Sequence, residues 1–405
     1  MMKIKMAPEN ILMIQPLMTV WNRLHSVYDR PLEPASSPCS SIKKIGFFLA
    51  NGIKNRLVEL AFVIATLFVG LYCLLTFPFR FYKAELLERR SIELDLARIK
   101  KPVIGSEELF RYFNKHKTFF DRQSGRQKGK IIRQVTAQCA RSQAVFAPVA
   151  RQFVDHLLEA ADRGKRKLVF MARDGLPFYE VAQKLMKQEE YQKKYPFLAK
   201  EGALVYGYFS RELVFKSLSK PELFQQYFAE NLGVKPLENC IFADIGFSGR
   251  MVDPIRKLLP ENDIVFEFLV ATSDKANGFL ATPDQPLPYF ESEKQNLGMR
   301  WMEETHHGTL ASGTELALDG EKNRVYVVHD SKGVQSEKYP GKVRTEAKFS
   351  LPYLIRKFCL KAVVHSAADL PLQTEKERAE TRKIFSETIR QIKNGELLIP
   401  VGWDQ

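Results

Sequence analysis

The sequence predicts an α/β fold: a Rossmann-like three-layer parallel sheet, preceded by a single transmembrane helix and followed by a helical tail. Three observations carry that expectation. Apolar runs of strand length alternate with stretches of helical spacing, the pattern that gives a parallel sheet covered on both faces. Two of these units, Leu168 to Leu185 and Asn239 to Leu259, share one grammar of apolar strand, acid, glycine turn and helix. Apart from both stand 20 consecutive residues without a charge, Leu60 to Phe79. At a rise of roughly 1.5 Å per residue they cover about 30 Å of hydrocarbon.

Residues 1–55 form a basic segment in which short apolar patches are broken by Pro16 and by the Pro- and Ser-rich stretch Arg30 to Ser41. Residues 56–82 hold the expected span, with Arg56, Arg80 and Lys83 at head-group level and Tyr72, Phe79 and Tyr82 suited to the interfacial belt. Basic residues flank the span on both sides and give no orientation. Residues 83–130 are charged and rich in helix formers, ending in the basic run Arg122 to Lys130. Such a run touches lipid head groups or forms a solvated loop.

The α/β domain is expected over residues 131–345. Ile131 to Arg163 has amphipathic helical spacing with a break at Pro148, closed by Gly164. Strands follow at Leu168 to Met171, Ala203 to Phe209, Cys240 to Ala243 and Ile264 to Ala271, with a short one at Val325 to Val328. Glu212 to Asn231 reads as helix, and Arg250 to Leu259 as another. Residues 346–405 form the tail, with helices at Tyr353 to Ser366 and Glu375 to Lys393.

The bulk numbers narrow the class. The 405 residues with 45% hydrophobic content sustain a real core and exclude a disordered chain. Of a formal charge of +14, residues 1–130 hold +11, from 22 basic against 11 acidic residues. The near-neutral remainder argues against a nucleic-acid surface on the main domain and for an anionic bilayer as partner near the N-terminus. Five scattered cysteines, Cys39, Cys73, Cys139, Cys240 and Cys359, form no C-x-x-C pair. Disulfide frameworks and cysteine zinc sites are not expected, and a cytoplasmic C-terminal domain is.

In a parallel sheet the loops after the strands gather on one edge, where ligands bind. Arg173-Asp174-Gly175, Ser210-Arg211 and Asp244 followed by Gly246, Ser248, Gly249 and Arg250 all belong there. Gly246 and Gly249 permit positive φ and close backbone approach, and a helix start offers free N–H groups to a phosphate. Ser248, Gly249 and the Arg250 amide are the expected phosphate cradle, and Arg173 or Arg211 a forked counter-charge. Asp174 or Asp244 would act as a base or hold a divalent ion such as Mg2+. Downstream, Met302 to Gly313 sets Glu303, Glu304, His306 and His307 beside small residues; they suit a metal, acid–base chemistry or a solvated loop. His307 is the acid–base candidate of that block.

Four blocks in order, Phe170 to Gly175 (FMARDG), Tyr206 to Glu212 (YGYFSRE), Phe242 to Gly249 (FADIGFSG) and Glu304 to Gly313 (ETHHGTLASG), carry a family likeness. They resemble the α/β module of bacterial predicted hydrolases of the haloacid dehalogenase superfamily associated with surface glycan genes, over residues 140–315. The resemblance implies phosphoester hydrolysis or phosphotransfer. That chemistry uses an Asp-x-Asp pair, which this chain lacks. A remoter likeness is to phosphoribosyltransferases, in which VFMARDGLPFYEVA corresponds to a pyrophosphate loop and FADIGFSGRM to the ribose-phosphate loop. Ala243 and Met251 depart from that second pattern, where an acid and a hydroxyl belong. The expected ligand is a phosphorylated sugar or nucleotide-like molecule, and the rival expectation is a degenerate, non-catalytic binding domain tethered to the membrane.

Overall fold

The computed structural model describes residues 103–104, 106–116, 125–172, 174–281, 301–302, 305–306, 313–319, 324–329, 351–393 and 397. The expected membrane span Leu60 to Phe79 lies outside the described residues. Among those described, no helix is long and apolar enough to cross a membrane.

In chain order, helices α1 (Ser106–Lys115) and α2 (Gly125–Arg141) lead through a π turn, Ser142–Phe146, into α3 (Ala147–Gly164). Strand β1 (Lys167–Ala172) is followed by α4 (Leu176–Met186) and α5 (Glu189–Lys194), and β2 (Leu204–Tyr208) by α6 (Arg211–Ser217), α7 (Pro221–Gln226) and a second π turn, Tyr227–Asn231. Then come β3 (Cys240–Phe247), α8 (Val252–Leu258), β4 (Ile264–Ala271) and β5 (Asn277–Ala281). A hairpin of β6 (Gly313–Asp319) and β7 (Arg324–His329) and the helices α9 (Leu351–Asp369) and α10 (Glu375–Lys393) complete the described chain.

The fold class is α/β, as expected. Five strands form a wholly parallel sheet in the order β2-β1-β3-β4-β5, with helices on both faces. Alternation along β1 divides the core. Leu168 and Phe170 face α3, α4, α9 and α10, while Val169 and Met171 face α6, α7, α8 and the hairpin. On that second face Phe242 has ring centroids at 5.0 Å from Phe209, 5.8 Å from Phe228 and 5.2 Å from Phe266. Burial of each such ring contributes about 1.5–3 kcal/mol.

Several boundaries differ from the sequence expectation for physical reasons. Helix α2 already begins at Gly125, so Arg126, Lys128 and Lys130 of the basic run belong to a helix. Pro148 breaks nothing, because it occupies the first turn of α3, where proline's missing N–H is not needed. The interruption is instead the π turn before it. The expected helix Glu212 to Asn231 is divided, with Pro221 opening α7. The tail is part of the core: α9 buries Val363, Val364, Ala367 and Ala368 with α3 and α4, and Leu354, Phe358 and Ala362 with α1 and α2. The described cysteines are free and buried, and the sulfurs of Cys139 and Cys359 lie 3.8 Å apart between α2 and α9.

One buried charged group ties α9 down. Arg151 in α3 donates from Nε to Asp155 Oδ2 at 2.9 Å and from Nη1 to the Ala367 carbonyl at 2.9 Å, and it also bonds the Tyr191 hydroxyl. Tyr191 in turn donates to Asp155 Oδ1 at 3.0 Å. Burial, then the Asp155 charge, pushes the Tyr191 phenol far above its ordinary value, so it stays a donor. Removing one partner of such a buried pair strands the other charge. Arg151→Met is therefore expected to lose about 3–5 kcal/mol in denaturant titration, and Arg151→Met with Asp155→Leu to recover a large part of it. Equal stability of Arg151→Met and the parent would show that the network holds nothing.

Candidate functional site at the sheet crossover

The chain passes from β1 to β2 on one side and reaches β3 on the other, so the order reverses between β1 and β3. In open parallel sheets the crevice outside the carboxyl ends at such a reversal is where ligands bind. The register pairs Phe170 with Ala243, so the turn after β1 stands beside the end of β3.

Gly175 brings the two together. Its N–H donates to the Met171 carbonyl at 2.7 Å, closing the turn back onto β1. A Cβ at this position would lie 2.5 Å from the Met171 oxygen and 3.2 Å from the Ala243 oxygen of β3. Only glycine lets the turn settle this deeply over both strands. The Gly175 amide is thus engaged internally rather than offered to a ligand. Asp174, just before it, is half-buried, and its Oδ1 is buried with no hydrogen-bond partner among the described residues. Arg173 lies outside the described residues.

The second expected loop is built differently from its sequence reading. Asp244 does not end the strand, because β3 continues through Phe247. Asp244 is consequently buried, and its Oδ1 accepts from the Ile245 N–H at 2.8 Å. Gly246 has φ +107 and lies within the sheet, where a Cβ would sit 2.4 Å from the Val270 oxygen of β4. Gly249 has φ +63, so both expected positive angles are found. Ser248 is half-buried, and its carbonyl accepts from Ser273 Oγ at 3.0 Å; Arg250 is exposed. The helix after the loop, α8, has seven residues and starts at Val252, whose N–H donates to the Gly249 carbonyl at 3.0 Å. An anion here would rely on loop amides and hydroxyls more than on a helix dipole.

Ser210 caps α6. Its Oγ accepts from Leu213 N–H at 3.1 Å and donates to the Gly313 carbonyl, which leaves it a structural role. Arg211 is exposed at the first position of α6, with its charge on the rim.

The fourth block is anchored to the same edge at both ends. Its far end is the Ser210–Gly313 bond. At its near end His306 is fully buried, stacked on Phe146 at 4.0 Å and edge-on to Trp301 at 5.2 Å. His306 Nδ1 lies 3.1 Å from the Met302 carbonyl, which only accepts, so Nδ1 carries the proton. In the neutral ring Nε2, 2.9 Å from Ser142 Oγ, then accepts from the serine hydroxyl. Phe146 in turn touches Phe178 in the first turn of α4, with centroids 6.0 Å apart. Glu303, Glu304 and His307 lie outside the described residues.

Sequence reasoning missed the Ser142–His306 pair and Tyr206. Tyr206 on β2 has a buried hydroxyl without a partner among the described residues. Nothing in the local sequence marks a π turn, which brings Ser142 onto His306. A cleft of 130 Å³ lies elsewhere, between α6, α7 and β6, lined by Lys216, Ser219, Lys220 and Glu315. Its Lys216 is already paired with Glu212 at 2.8 Å. No group of three or more His, Cys, Asp or Glu side chains placed to hold a metal occurs among the described residues.

No family model matches the chain, and no curated protein matches it.

The crossover geometry yields a stability test. Gly246→Ala places a side chain against β4 at a left-handed φ and is expected to cost at least about 2 kcal/mol. Ser248→Ala, in the half-buried loop, is expected to stay within about 0.5 kcal/mol. Denaturant titration of both variants checks this, and a neutral Gly246→Ala would contradict the described close approach.

Proposed function

We propose that this chain binds a phosphorylated small molecule, a sugar or nucleotide-like phosphate, across the β1–β3 crossover, and that Asp174 is the group that acts on it. The observation that carries the reading is the Asp174 Oδ1, buried without a partner among the described residues in the turn that lies over both strands. Buried polar atoms are nearly always satisfied, so an exception at a strand reversal asks for a partner from outside the chain. In this reading Ser248, Gly249 and the Arg250 amide hold the phosphate and Arg211, with Arg173, offsets its charge.

Asp174 is also the residue that would hold Mg2+, an ion that takes one or two protein carboxylates and completes its shell with phosphate oxygens and water. When bound, it would neutralise charge on the phosphate. Asp244, already accepting from Ile245, is less open to that task.

Phosphoester hydrolysis or phosphotransfer, in the manner of a haloacid-dehalogenase-like hydrolase, is the reaction this reading places first. Asp174 serves it by moving a proton at the ester or acceptor oxygen. One open acid is short of the nucleophile-plus-acid pair of a covalent route. Ribosyl transfer is the second reading: the Gly249 turn after β3, at φ +63, is where a ribose phosphate would sit. A non-catalytic binding domain is the third, and the engaged state of Asp244 favours it. The domain acts at a bilayer, anchored by Leu60 to Phe79 with its C-terminal part on the cytoplasmic side.

The test is thermal shift of the full chain with sugar phosphates, nucleotides and pyrophosphate, with and without Mg2+. A ligand at 100 times its Kd should add about 2.7 kcal/mol of stability. Turnover of a generic phosphoester that vanishes in Asp174→Asn supports the enzyme, and stabilisation without turnover supports the binding domain. No shift with any compound would end the reading. The full chain should also stay with membranes through an alkaline carbonate wash and be released by deletion of residues 60–79; release of the undeleted chain would remove the anchor.

A further inference from the structure

A second unsatisfied group lies on β2, the strand that flanks β1 on the side away from β3. Strand β2 pairs with β1 so that Tyr206 is level with Phe170, four residues before Asp174. The Tyr206 ring is held on both sides: it stacks on Tyr179 of α4 at 5.2 Å and meets Tyr208 edge-on at 6.1 Å. Tyr179, one turn after the Asp174–Gly175 turn, is itself braced by Phe170 at 5.7 Å. A ring packed on both sides holds its hydroxyl in one place, and that hydroxyl is buried with no partner among the described residues. The same is true of the Asp174 Oδ1. Burial, with the charge of Asp174 among the further contributors, raises the Tyr206 phenol well above its ordinary value, so it remains protonated.

One of these groups is a fixed donor and the other an acceptor, and neither bonds the other. The ligand group that satisfies both at once accepts on its oxygen and donates its own hydrogen: an alcohol. We infer that Tyr206 and Asp174 together recognise a hydroxyl of the bound molecule, so that the ligand is a polyol or sugar phosphate rather than inorganic phosphate or a plain alkyl phosphate. This rests on the crossover being the ligand site, and it makes Tyr206 a specificity-determining residue. A site whose buried polar groups are matched to a substrate hydroxyl rejects the analogue lacking it, because those groups are then left unpaired.

The experiment is calorimetric titration of the full chain with ribose 5-phosphate, glycerol 3-phosphate and propyl phosphate, in the parent and in Tyr206→Phe. The parent should bind one or both hydroxylated phosphates at least about tenfold more tightly than propyl phosphate. Tyr206→Phe should bring that ratio to within about twofold and leave propyl phosphate binding unchanged. Without ligand, its Tm should equal or exceed the parent's, since an unsatisfied hydroxyl has been removed. Equal affinity of the parent for all three would overturn the inference while leaving the phosphate site standing. So would a preference that survives in Tyr206→Phe, or a lowered ligand-free Tm, which would show the hydroxyl held by the protein. If no compound binds, the crossover site fails and the hydroxyl pair with it.

Discussion

The contact on which the rim of this protein depends is the approach of Gly175 to the backbones of β1 and β3. With no Cβ, the residue lies against the Met171 and Ala243 carbonyls and returns its own N–H to Met171, so the chain reverses directly over the seam between the two strands. Two consequences follow from that position. Asp174 is carried into partial burial beside the seam, where its carboxylate is stripped of solvent on one oxygen. Helix α4 is launched at once, which places Phe178 against Phe146 and Tyr179 against Tyr206. A side chain at position 175 would lift the turn and loosen all of these together.

Around that seam, elements distant in sequence are fixed by buried polar bonds rather than by apolar packing alone. The Ser142–His306 bond docks residues 305–306 onto the π turn, and the Ser210–Gly313 bond holds the start of β6 to the cap of α6. Arg151 secures the carboxyl end of α9 from behind the same face of the sheet. Buried hydrogen bonds of this kind specify position, because leaving either partner unmatched costs about 1–3 kcal/mol. The rim thus stands on a scaffold in which alternative arrangements are penalised.

Much of this architecture was legible in the residues. Strands β1 to β4 are apolar runs with no competing helical period, and buried parallel strands have that pattern. The glycines at 175 and 249 mark the turns by clearance and by angle, and Gly246 marks a close approach of β3 to β4. Strand β5, with the composition Asn277–Ala281, is short, sits at the sheet edge and carries no apolar run to betray it. Strand β6 was hidden because its burial comes from α6 and α7, elements far away in sequence. Asp244 misled as a strand end, since an acid is tolerated inside a strand when a donor meets it, as the Ile245 N–H does here. Ser210 has a use that its sequence did not record, as the cap of α6 and a bond to Gly313. Tyr206 was invisible as a site residue because its significance lies in the lack of a partner, which a sequence does not record.

The most direct measurement of the central claim is the location of a heavy phosphate mimic, tungstate, by anomalous diffraction from soaked crystals of this protein. A peak is expected between the Asp174–Gly175 turn and the Ser248–Gly249 loop, lost in crystals of Ser248→Ala or Asp174→Asn competed with excess phosphate ligand. A peak confined to the lysine-lined cleft at Lys216 and Lys220, with nothing at the β1–β3 crossover, would contradict it.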